Sequence, residues 1–524
     1  MLEDYSDQTL GSNLKSDPVN VPKNYEPTEL ADNDTKLSSE TVVNTTTDTF
    51  NTEKDSLLDA FKLATIDHQL QVFKSYNKKT LPNTDTIHWE SSNPHSVIRL
   101  FSTDDNELRV KVDIKSTISN YDPLGKLRIR FFDNLMHIEV ADKTPSTMII
   151  LNPYDKDYQY CTVLADVSLF IPKDFKLNLN VISPYTMIFN HDDCKLDVVN
   201  WHSKVAPCVF ELRANEINVS SQTGMIGIKK TKATKLRCMN AKNHSTKLEK
   251  LSIADSVFGE VNVDVVYDFK LENSKVDNLF LLSKAAEVKL DGCDLKQAVI
   301  SSQTGPISIT NTNYENFKIS GRTSNLDLMN SQFGILQCAL PHGDITLNDV
   351  HSDWMNILSD FGNVELSNFT FSNRLFIQTN SSPISLIGKC LDKVRFNTNP
   401  ELNSSFGNIQ LQTSTGSIKT NIHQYKVLDI LTCSGNIDHS YECTSNQQTR
   451  IKTTDGNILI NVTKLEAILD IKTTSGTKKS HGDVFRNYAY GPTPHQDIFR
   501  IGDVSSGSTL GAFSATGDIV VLMS

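Results

Sequence analysis

The sequence is short of tryptophan, of paired cysteines and of long apolar runs. Three of its 524 residues are Trp, and its nine Cys are scattered singly with no CxxC pair. Such spacing argues against a disulfide framework or a zinc ribbon, and it predicts reduced thiols that are mostly buried as small apolar side chains. No apolar stretch approaches the roughly eighteen residues of a membrane-spanning helix, so we expect no membrane span.

Features of a secretory leader are also missing. Met1–Asp4 has no basic segment, and no apolar core follows it, which argues against a signal peptide. A chain of scattered thiols without a leader is typical of a reducing compartment. We therefore expect a cytoplasmic protein.

Positive charge is in deficit. The chain has 51 Lys and Arg against 62 Asp and Glu, a net charge of −11. Residues 1–55 hold 12 acids and 4 lysines, which is −8 of that total, and the remainder is close to neutral at −3. Because an acidic chain repels phosphate backbones, we expect no nucleic-acid partner.

Composition and patterning divide the chain into three segments. Residues 1–54 are polar and acidic and predict a disordered tail, because they cannot bury enough apolar area to offset chain entropy. Residues 55–160 predict a capping helix followed by an opening β-sheet. Residues 161–524 predict a mainly β repeat domain, since 38% apolar and 22% charged residues suit thin strands with polar outer faces.

The capping helix is predicted over residues 55–76. Asp55 or Ser56 is a candidate N-cap, and apolar residues follow near helical spacing at Leu58, Phe61, Ala64, Ile66, Leu70 and Phe73. We expect this helix to cover the open end of the repeat domain, because an uncapped coil would expose strand edges.

Period-two alternation replaces the helical pattern after about residue 87. Leu108–Ile114 and Lys126–Phe131 alternate apolar and polar residues, which predicts half-buried strands. The segment 121–125 between them has turn residues. These strands are expected to form a small antiparallel sheet that leads into the repeats.

A turn with Gly, followed by apolar residues at every second position, recurs through the rest of the chain. The turns are centred on Gly224, Gly305, Gly362, Gly407, Gly416, Gly435, Gly456 and Gly517. We expect Gly to adopt positive φ at a corner. The residue two positions later then points inward, as predicted for Ile226, Ile307, Ile409 and Ile458.

The spacing of these turns predicts stacked coils. Successive intervals along Gly416, Gly435, Gly456 and Gly476 are 19, 21 and 20 residues. About twenty residues suit one turn of a parallel β-solenoid (β-helix) with two or three strands. The 41-residue interval from Gly476 to Gly517 fits two coils or one coil plus a loop, and 479–497 is interpreted as that loop.

A leucine-rich horseshoe is the alternative repeat fold. Val288–Leu295 hints at its motif, but the full frame does not recur and the helical halves are missing. The β-solenoid is therefore the preferred fold class.

Three phrases resemble the adhesin-like repetitive β-solenoid domain family of bacteria and fungi, whose function is largely unknown. Asp166–Leu177 resembles its opening strand phrase, and the Ser/Thr-x-x-Gly-x-Ile units resemble its coils. Phe499–Asp503 with Ala515–Ile519 resembles its closing strand pair. The resemblance covers about residues 160–524 and implies a solenoid without catalytic residues to carry over.

Candidate chemistry is sparse. His191, Asp192, Asp193 and Cys194, with His202 and Cys208 nearby, carry metal-binding side chains, but no second pair closes a tetrahedral set, so a polar turn is the preferred interpretation. The segments 342–344 and 481–483, both His-Gly-Asp, are interpreted as variants of the Gly turn. Asn83–Asp85 and Arg450–Lys452 match two of four motifs of polygalacturonase-like enzymes, and we interpret them as chance. We thus predict no catalytic, cofactor-binding or metal-binding residues and no cofactor.

The functional hypothesis is a non-catalytic intracellular scaffold that presents a long surface to a protein partner, with partner and oligomeric state undetermined by the sequence. A carbohydrate-binding or polysaccharide-active β-helix is the first alternative, although three Trp are few for sugar stacking. The second alternative is a surface adhesin exported by a non-standard route.

Overall fold

A computed structural model describes much of the chain beyond residue 70. The described residues are 71–79, 86–91, 95–116, 128–132, 135–140, 163–182, 186–203, 208–221, 224–240, 248–283, 287–389, 407–423, 425–442, 447–464, 467–482, 488–490, 493–501 and 507–523. All of them belong to the unit Ser56–Ser524. They form 38 strands and no helix, so no helical membrane span occurs among them.

The strands are numbered in chain order. The first group is β1 (Gln71–Lys79), β2 (Thr86–Ser91), β3 (His95–Thr103), β4 (Arg109–Ser116), β5 (Arg128–Phe132), β6 (Leu135–Val140), β7 (Val163–Pro172), β8 (Asn178–Ile182) and β9 (Thr186–Asn190). The second group is β10 (Lys195–Ser203), β11 (Cys208–Glu211), β12 (Arg213–Ser221), β13 (Gly224–Lys229), β14 (Lys232–Asn240), β15 (Leu248–Ala254), β16 (Val257–Glu272), β17 (Lys275–Ser283), β18 (Val288–Asp291), β19 (Asp294–Thr304) and β20 (Ile307–Thr310).

The remaining strands complete the repeat region. They are β21 (Asn313–Thr323), β22 (Leu326–Ala339), β23 (Ile345–Ser359), β24 (Val364–Ser367), β25 (Thr370–Thr379), β26 (Ile384–Lys389), β27 (Asn408–Thr413), β28 (Ile418–His423), β29 (Val427–Thr432) and β30 (Ile437–Glu442). The last are β31 (Gln448–Thr453), β32 (Ile458–Lys464), β33 (Ala467–Thr473), β34 (Lys478–His481), β35 (Tyr488–Tyr490), β36 (Gln496–Ile501), β37 (Thr509–Ser514) and β38 (Ile519–Met523).

Two ladders of parallel strands form the walls of the solenoid. Wall A contains β6, β2, β8, β10, β12, β14, β16, β17, β19, β21, β22, β23, β25, β27, β29, β31, β37 and β33 in spatial order. Wall B contains β7, β3, β9, β11, β13, β15, β16, β18, β20, β22, β23, β24, β26, β28, β30, β32, β38 and β34. The long strands β16, β22 and β23 bend and contribute to both walls. The predicted parallel β-solenoid is thus confirmed.

The register gives the coil length directly. Val288, Ile307, Leu326, Ile345 and Val364 are successive partners on wall B, and each interval is 19 residues. This agrees with the coil of about twenty residues expected from the glycine spacing.

Aliphatic side chains fill the space between the walls. Ile226, Ile307, Ile409 and Ile458, which the alternation predicts to face inward, lie on strands and are at most 2% exposed. Burying one such side chain stabilises the fold by about 1.5–3 kcal/mol relative to leaving it in water. Each coil buries only a few of them, so the coils need their neighbours.

The corner that leads from wall B to wall A contains residues with left-handed φ, and we call it the left-handed corner. Its positions are Asp193, Lys230, Asp255, Asn273, Gly292, Asn311, Asn330, Asp349 and Asn368, with φ between 46° and 63°. Asn and Asp adopt this region at lower cost than other side-chain-bearing residues. Neighbouring Asn side chains also bond across coils, since Asn330 Nδ2 donates to Asn311 Oδ1 at 2.6 Å.

A buried hydroxyl follows most of these residues. Thr312 is 0% exposed; its Oγ1 donates to the Thr310 carbonyl at 2.6 Å, and its N–H donates to Ser331 Oγ in the next coil at 3.2 Å. Thr231, Ser256 and Ser274 repeat the arrangement earlier in the chain. This ladder satisfies backbone groups that the bend removes from the sheet.

The opposite corner, from wall A to wall B, contains the recurrent glycines, and we call it the glycine corner. Its positions in spatial order are Gly343, Gly362, Gly416, Gly435, Gly456, Gly517 and Gly476. The expectation of positive φ is wrong here, because none of these seven has left-handed φ; it holds at Gly305 and Gly407. Gly is needed at these seven positions because the coils stack closely: a Cβ on Gly435 would lie 1.8 Å from the Gly416 carbonyl oxygen.

Side chains complete each glycine turn. Thr432 Oγ1 accepts a hydrogen bond from the Gly435 N–H at 3.0 Å, and Thr453 does the same for Gly456. The residue after each Gly also stacks, since the Asn457 N–H donates to Asn436 Oδ1 at 2.9 Å. The Thr-x-x-Gly-Asn phrase therefore encodes a turn that bonds to the same turn one coil away.

At the N-terminal end the chain does not stack in sequence order. β2 lies between β6 and β8, and β3 lies between β7 and β9, all parallel. Antiparallel strands β5 on wall A and β4 and β1 on wall B cover the edges. The predicted helix over 55–76 is not confirmed: residues 71–76 belong to β1, and 55–70 lie outside the described residues, as does the predicted tail 1–54. Strand pairing supplies the edge protection that the helix was expected to give.

The C-terminal end shows the same departure from sequence order. β37 lies between β31 and β33, and β38 lies between β32 and β34. The interpretation of 479–497 as a loop is wrong in part, because β35 and β36 form an antiparallel pair within and just beyond it. β36 then pairs antiparallel with β33 and covers the edge of wall A.

Candidate functional site

The central part of wall A presents an unusual outer surface, which we call the amide–aromatic face. It comprises three alternating outward positions in the later part of the wall A strand of each of seven successive coils: Asn278, Phe280, Leu282, Gln297, Val299, Ser301, Asn316, Lys318, Ser320, Ile335, Gln337, Ala339, Trp354, Asn356, Leu358, Arg374, Phe376, Gln378, Asn408, Gln410 and Gln412. None of them is buried. Strand alternation dictates this, because the residues between them fill the core.

Charge is nearly absent from this face. Its 21 positions include no carboxylate, and Lys318 and Arg374 are the two charged members. Immediately before these positions on the same strands lie Asp277, Lys296, Glu315 and Asp353, none of them buried, so a charged column borders the face. The depletion of charge within the face is typical of the centre of a binding interface.

Earlier coils of the same wall are different. Glu216, Lys235, Arg237 and Glu260 occupy the outward positions there and form ion pairs, at 3.5 Å between Arg237 and Glu216 and 3.1 Å between Lys235 and Glu260. The hydrogen bond from Lys235 lowers the pKa of the Glu260 carboxyl below its usual value. Those coils thus carry paired charges on their outer surface, whereas the amide–aromatic face carries mostly amide and apolar side chains.

Trp354 is the most prominent residue of the face. It is 43% exposed, whereas Trp89 and Trp201 are at most 2% exposed and belong to the core. Its neighbours in register are Ile335 on one strand and Arg374 on the other. A large indole left exposed on a regular wall is a candidate anchor for a ligand.

Further apolar side chains extend the surface around Trp354. Leu358 is 39% exposed on the same strand, and Phe361 in the following turn is 59% exposed and stacks on His342 at 5.0 Å. The Arg374 guanidinium lies over the Phe376 ring at 5.4 Å and donates to Gln410 Oε1 at 2.9 Å. The contacts hold these long side chains in place, which reduces the entropy lost on binding.

The face offers packing area and amide hydrogen bonds but no acid–base pair. Its Asn and Gln side chains each carry a donor and an acceptor. The aromatic rings of Trp354 and Phe376 add surfaces on which a ligand can stack.

Sequence reasoning did not find this surface. The three Trp were counted, but which of them are buried and which are exposed was not predicted. Alternation was the available signal: Met355 and Ile357 point inward, so Trp354 must point outward. The sequence alone could not show that these residues form one surface, because neighbours on the surface are one coil apart in the chain.

The segment considered for metal binding forms a polar turn, as interpreted. His191 stacks on Phe101 at 4.9 Å, Asp192 accepts from the Ser102 N–H, and Asp193 pairs with Arg213 at 3.2 Å. Cys194 is held by the Asn190 side chain through two hydrogen bonds of 2.8 Å. Within the described ranges, no three His, Cys, Asp or Glu side chains cluster as metal ligands do.

Five cysteines whose burial the structure describes fall into two environments. Cys194, Cys238, Cys293 and Cys338 are buried and unbonded to one another, whereas Cys433 is exposed in a glycine turn. Burial raises the pKa of the Cys238 thiol to about 12 and that of Cys293 to about 11. Buried thiols of this kind are unreactive and act as core side chains.

The two His-Gly-Asp segments occupy different positions. Gly343 belongs to the glycine corner, and its Asp344 carboxylate accepts from the Asn363 N–H at 2.8 Å. Gly482 has φ of 134° next to Met523 and is outside that stack. Arg450–Lys452 lies on β31, while Asn83–Asp85 falls outside the described residues.

Comparison with known proteins supports the family resemblance. The family model described as Toastrack DUF4097 matches residues 86–405 and, in a second match, residues 373–487. No curated protein is similar enough to match this chain.

Two solved structures are similar to the chain. A proposed adhesin from Parabacteroides merdae is 9% identical over 70% of this chain and 95% of its own, with a TM-score of 0.20. A proposed cell adhesion protein from Clostridium sporogenes is 6% identical over 86% of this chain and 99% of its own, with a TM-score of 0.13. At these TM-scores the likenesses carry no argument, whereas the family match spans well over half of the sequence. The chain belongs to the Toastrack DUF4097 family.

Proposed function

We propose that the protein is a non-catalytic scaffold whose amide–aromatic face docks a protein partner. The observation that supports the proposal most strongly is the group of 21 outward positions with no carboxylate and with Trp354, Leu358 and Phe376 among them. Trp and Arg are the residue types that contribute most to protein interfaces, and polar residues usually surround them. Here Trp354 and Arg374 are adjacent, with Asn and Gln around them.

The charge of the face suggests the character of the partner. Lys318 and Arg374 are both cationic, and no acid balances them on the face. A complementary surface would bring apolar or aromatic side chains to Trp354 and carboxylates to Lys318 and Arg374. The partner is therefore a folded protein with an apolar patch and with carboxylates placed to meet these two cations.

Site-specific crosslinking tests the proposal in the cell of origin. A photo-reactive amino acid replaces Leu358, and the crosslinked protein is identified and purified. Its affinity for the full chain is then measured with Trp354→Ser and with Ile387→Ser as the matched control. Ile387 is 42% exposed on wall B, so it resembles Trp354 in exposure but not in position.

We expect Trp354→Ser to weaken binding at least about tenfold and Ile387→Ser to change it less than about twofold. Equal effects of the two variants would contradict the proposal, as would the absence of any crosslink at position 358. Crosslinking only to a second copy of the chain would replace the proposed partner with self-association.

Carbohydrate binding is the second candidate. Trp354 has Gln337 and Asn356 on the neighbouring outward positions, and an aromatic ring flanked by amides can stack on a sugar and bond its hydroxyl groups. A glycan array probed with the wild type and with Trp354→Ser separates the two candidates. A glycan whose binding depends on Trp354 would favour this second function.

We also propose a cytoplasmic location. An exposed unpaired thiol at Cys433 and buried thiols at Cys238 and Cys338 suit a reducing compartment. Labelling of intact cells with a membrane-impermeant reagent tests this, and labelled protein would favour the surface-adhesin alternative.

A further inference from the structure

A second feature lies on the outside of wall A, far from Trp354 in sequence, and we call it the basic groove. It has a volume of about 480 Å³ and runs across the beginnings of β10, β12, β14, β16 and β17. Its rim is one column of the register, formed by Lys195, Arg213, Lys232, Val257 and Lys275. Adjacent strands are about 4.8 Å apart, so the column places cationic groups in a line along the solenoid axis.

A glycine lies in the floor of the groove. Ala214 and Ala233, which follow the basic residues on β12 and β14, are buried in the core, and Gly259 on β16 has no side chain to project into the groove. A Cβ on Gly259 would be 2.7 Å from the Thr234 carbonyl oxygen, so the backbones of β14 and β16 approach closely at this point. An extended chain can lie along such a floor without displacing protein atoms.

The charge of the groove is only partly neutralised. Arg213 pairs with Asp193 at 3.2 Å and Lys275 pairs with Asp294 at 3.1 Å, in exposed positions. For Lys195 and Lys232, no ion pair occurs within the described parts of the chain, and both are exposed.

The carboxylate that lines the groove already has an ion-pair partner. Asp277 lies at the floor, but its carboxylate pairs with Lys296 at 2.7 Å, outside the rim. Lys230 and Lys235 are close along the chain and pair with Glu211 and Glu260. The net result is a positive groove in an acidic protein, which attracts an anionic ligand.

Val257 determines what kind of anion fits. It interrupts the basic column between Lys232 and Lys275 and is 43% exposed. A phosphate chain or a nucleic-acid backbone has no apolar group for this position. A peptide with acidic residues on both sides of one apolar side chain matches cations, apolar contact and cations in turn.

We propose that the basic groove binds an extended acidic peptide segment whose central apolar side chain contacts Val257. The proposal is independent of the amide–aromatic face, because the two features share only strand β17 and the ligand chemistry differs.

Fluorescence anisotropy with the full chain tests it. The probe is a labelled peptide of about ten residues, long enough to cross the five strands, with Asp and Glu on both sides of a central Leu. Comparison probes carry Ser at the centre or Ser in place of every acid. Tripolyphosphate and a single-stranded oligonucleotide are the competing polyanions.

Two charge reversals give matched proteins. The test variant combines Lys195→Glu with Lys232→Glu. The control combines Lys419→Glu with Lys472→Glu, which makes the same change in net charge at exposed positions outside the groove. Circular dichroism verifies that both are folded.

We expect the wild type to bind the Leu peptide with a dissociation constant below about 1 mM. The test reversal is expected to weaken binding at least about tenfold and the control less than about twofold. Val257→Ser is expected to reduce affinity for the Leu peptide about threefold, and to leave the Ser-centred peptide unchanged.

Three results would overturn the proposal. One is failure of the wild type to bind the Leu peptide in this range, and another is equal weakening by the two reversals, which indicates bulk charge. The third is tighter, Lys195- and Lys232-dependent binding of tripolyphosphate or of the oligonucleotide, which would identify a phosphate site instead.

Discussion

Both corners of the coil turn the chain from one wall to the other, but different residue types form them. At the left-handed corner, eight of nine positions with positive φ carry a side chain, mostly Asn or Asp. At the glycine corner, seven glycines have no left-handed φ. The usual association of Gly with positive φ therefore fails at most positions of both corners, with Gly292 and Gly305 as exceptions. The seven stacked glycines are required for close approach between coils and not for a backbone angle.

The difference follows from what each turn must contact. A left-handed corner projects its side chain outward, where Asn side chains bond to those of neighbouring coils. A glycine corner stacks backbone on backbone, because each Gly lies against the carbonyl group of the turn one coil away. Consequently the first corner tolerates side chains and depends on buried hydroxyls, whereas the second excludes even a methyl group.

The largest effect is expected for Gly435→Ala. The new Cβ would lie 1.8 Å from the Gly416 carbonyl oxygen, so the coils must separate, and we expect a loss of about 3 kcal/mol or more in the free energy of unfolding. Denaturant unfolding followed by circular dichroism measures it. Gly511→Ala is the control, because its Cβ would meet only the Thr449 carbonyl oxygen at 3.9 Å. Equal stability of the two variants would disprove close stacking as the reason for Gly.

Thr312→Val tests the hydroxyl ladder of the other corner. The substitution keeps the shape of the side chain but removes the group that bonds the Thr310 carbonyl at 2.6 Å. We expect a loss of about 1–3 kcal/mol, because buried backbone groups lose a partner. Thr310→Val, which removes an exposed hydroxyl bonded to Asp291, should cost less than about 1 kcal/mol. Denaturation midpoints compare them, and a larger loss at Thr310 would refute the ladder.

Gly292→Asn sharpens the contrast between the corners. Gly292 has φ of 63°, and a Cβ there would meet Asn273 Oδ1, the end of a side chain that can move. Asn tolerates this backbone conformation and can extend the outer ladder, so we expect a change within about 0.5 kcal/mol. Thermal unfolding beside Gly435→Ala provides the comparison. A loss as large as that at Gly435 would show that the corners are equally restricted.

The smallest effect is expected outside both corners, for Glu260→Gln on wall A. Lys235 lowers the pKa of Glu260 in the folded protein, so the pair stabilises the fold above the unfolded carboxyl's pKa, and that stabilisation is lost as pH falls through the lower folded pKa. We expect a difference below about 1 kcal/mol at neutral pH, since the pair is exposed. Unfolding measured from neutral pH down to acid pH checks it, with Glu365→Gln on wall B as the control. A difference that grows on acidification would contradict the assignment.

The amide–aromatic face and wall B present different outer surfaces in the same coils. In the same coils wall B carries Lys289, Asp291, Asp327 and Glu365 among its outward residues, as a solvated surface does. Both walls bury the same kind of aliphatic ladder inside. The inward pattern therefore determines the fold and leaves the outward positions free for function.

Some of this could be predicted from the sequence and some could not. The inward direction of Ile307 and Ile458 was predictable, because alternation is a local property of a strand. The left-handed corner was missed, since Asn311 and Asn330 look like ordinary polar residues in strand-rich sequence. The predicted helix at 55–76 was wrong where β1 begins, because strand pairing with β4 overrides local helical spacing. Trp354 and the basic column were missed for another reason, since both acquire meaning only through neighbours one coil away.

The sequence by itself determined a parallel solenoid of about twenty-residue coils with aliphatic interiors, because period-two alternation and recurring Thr-x-x-Gly turns are short-range patterns that each coil repeats. Only the tertiary structure decided that the strand pairs β2–β3 and β37–β38 form the second coil from each end of the solenoid. It also decided which outward residues share a surface. Both depend on pairing between distant strands, and every strand here could satisfy its own hydrogen bonds with more than one neighbour.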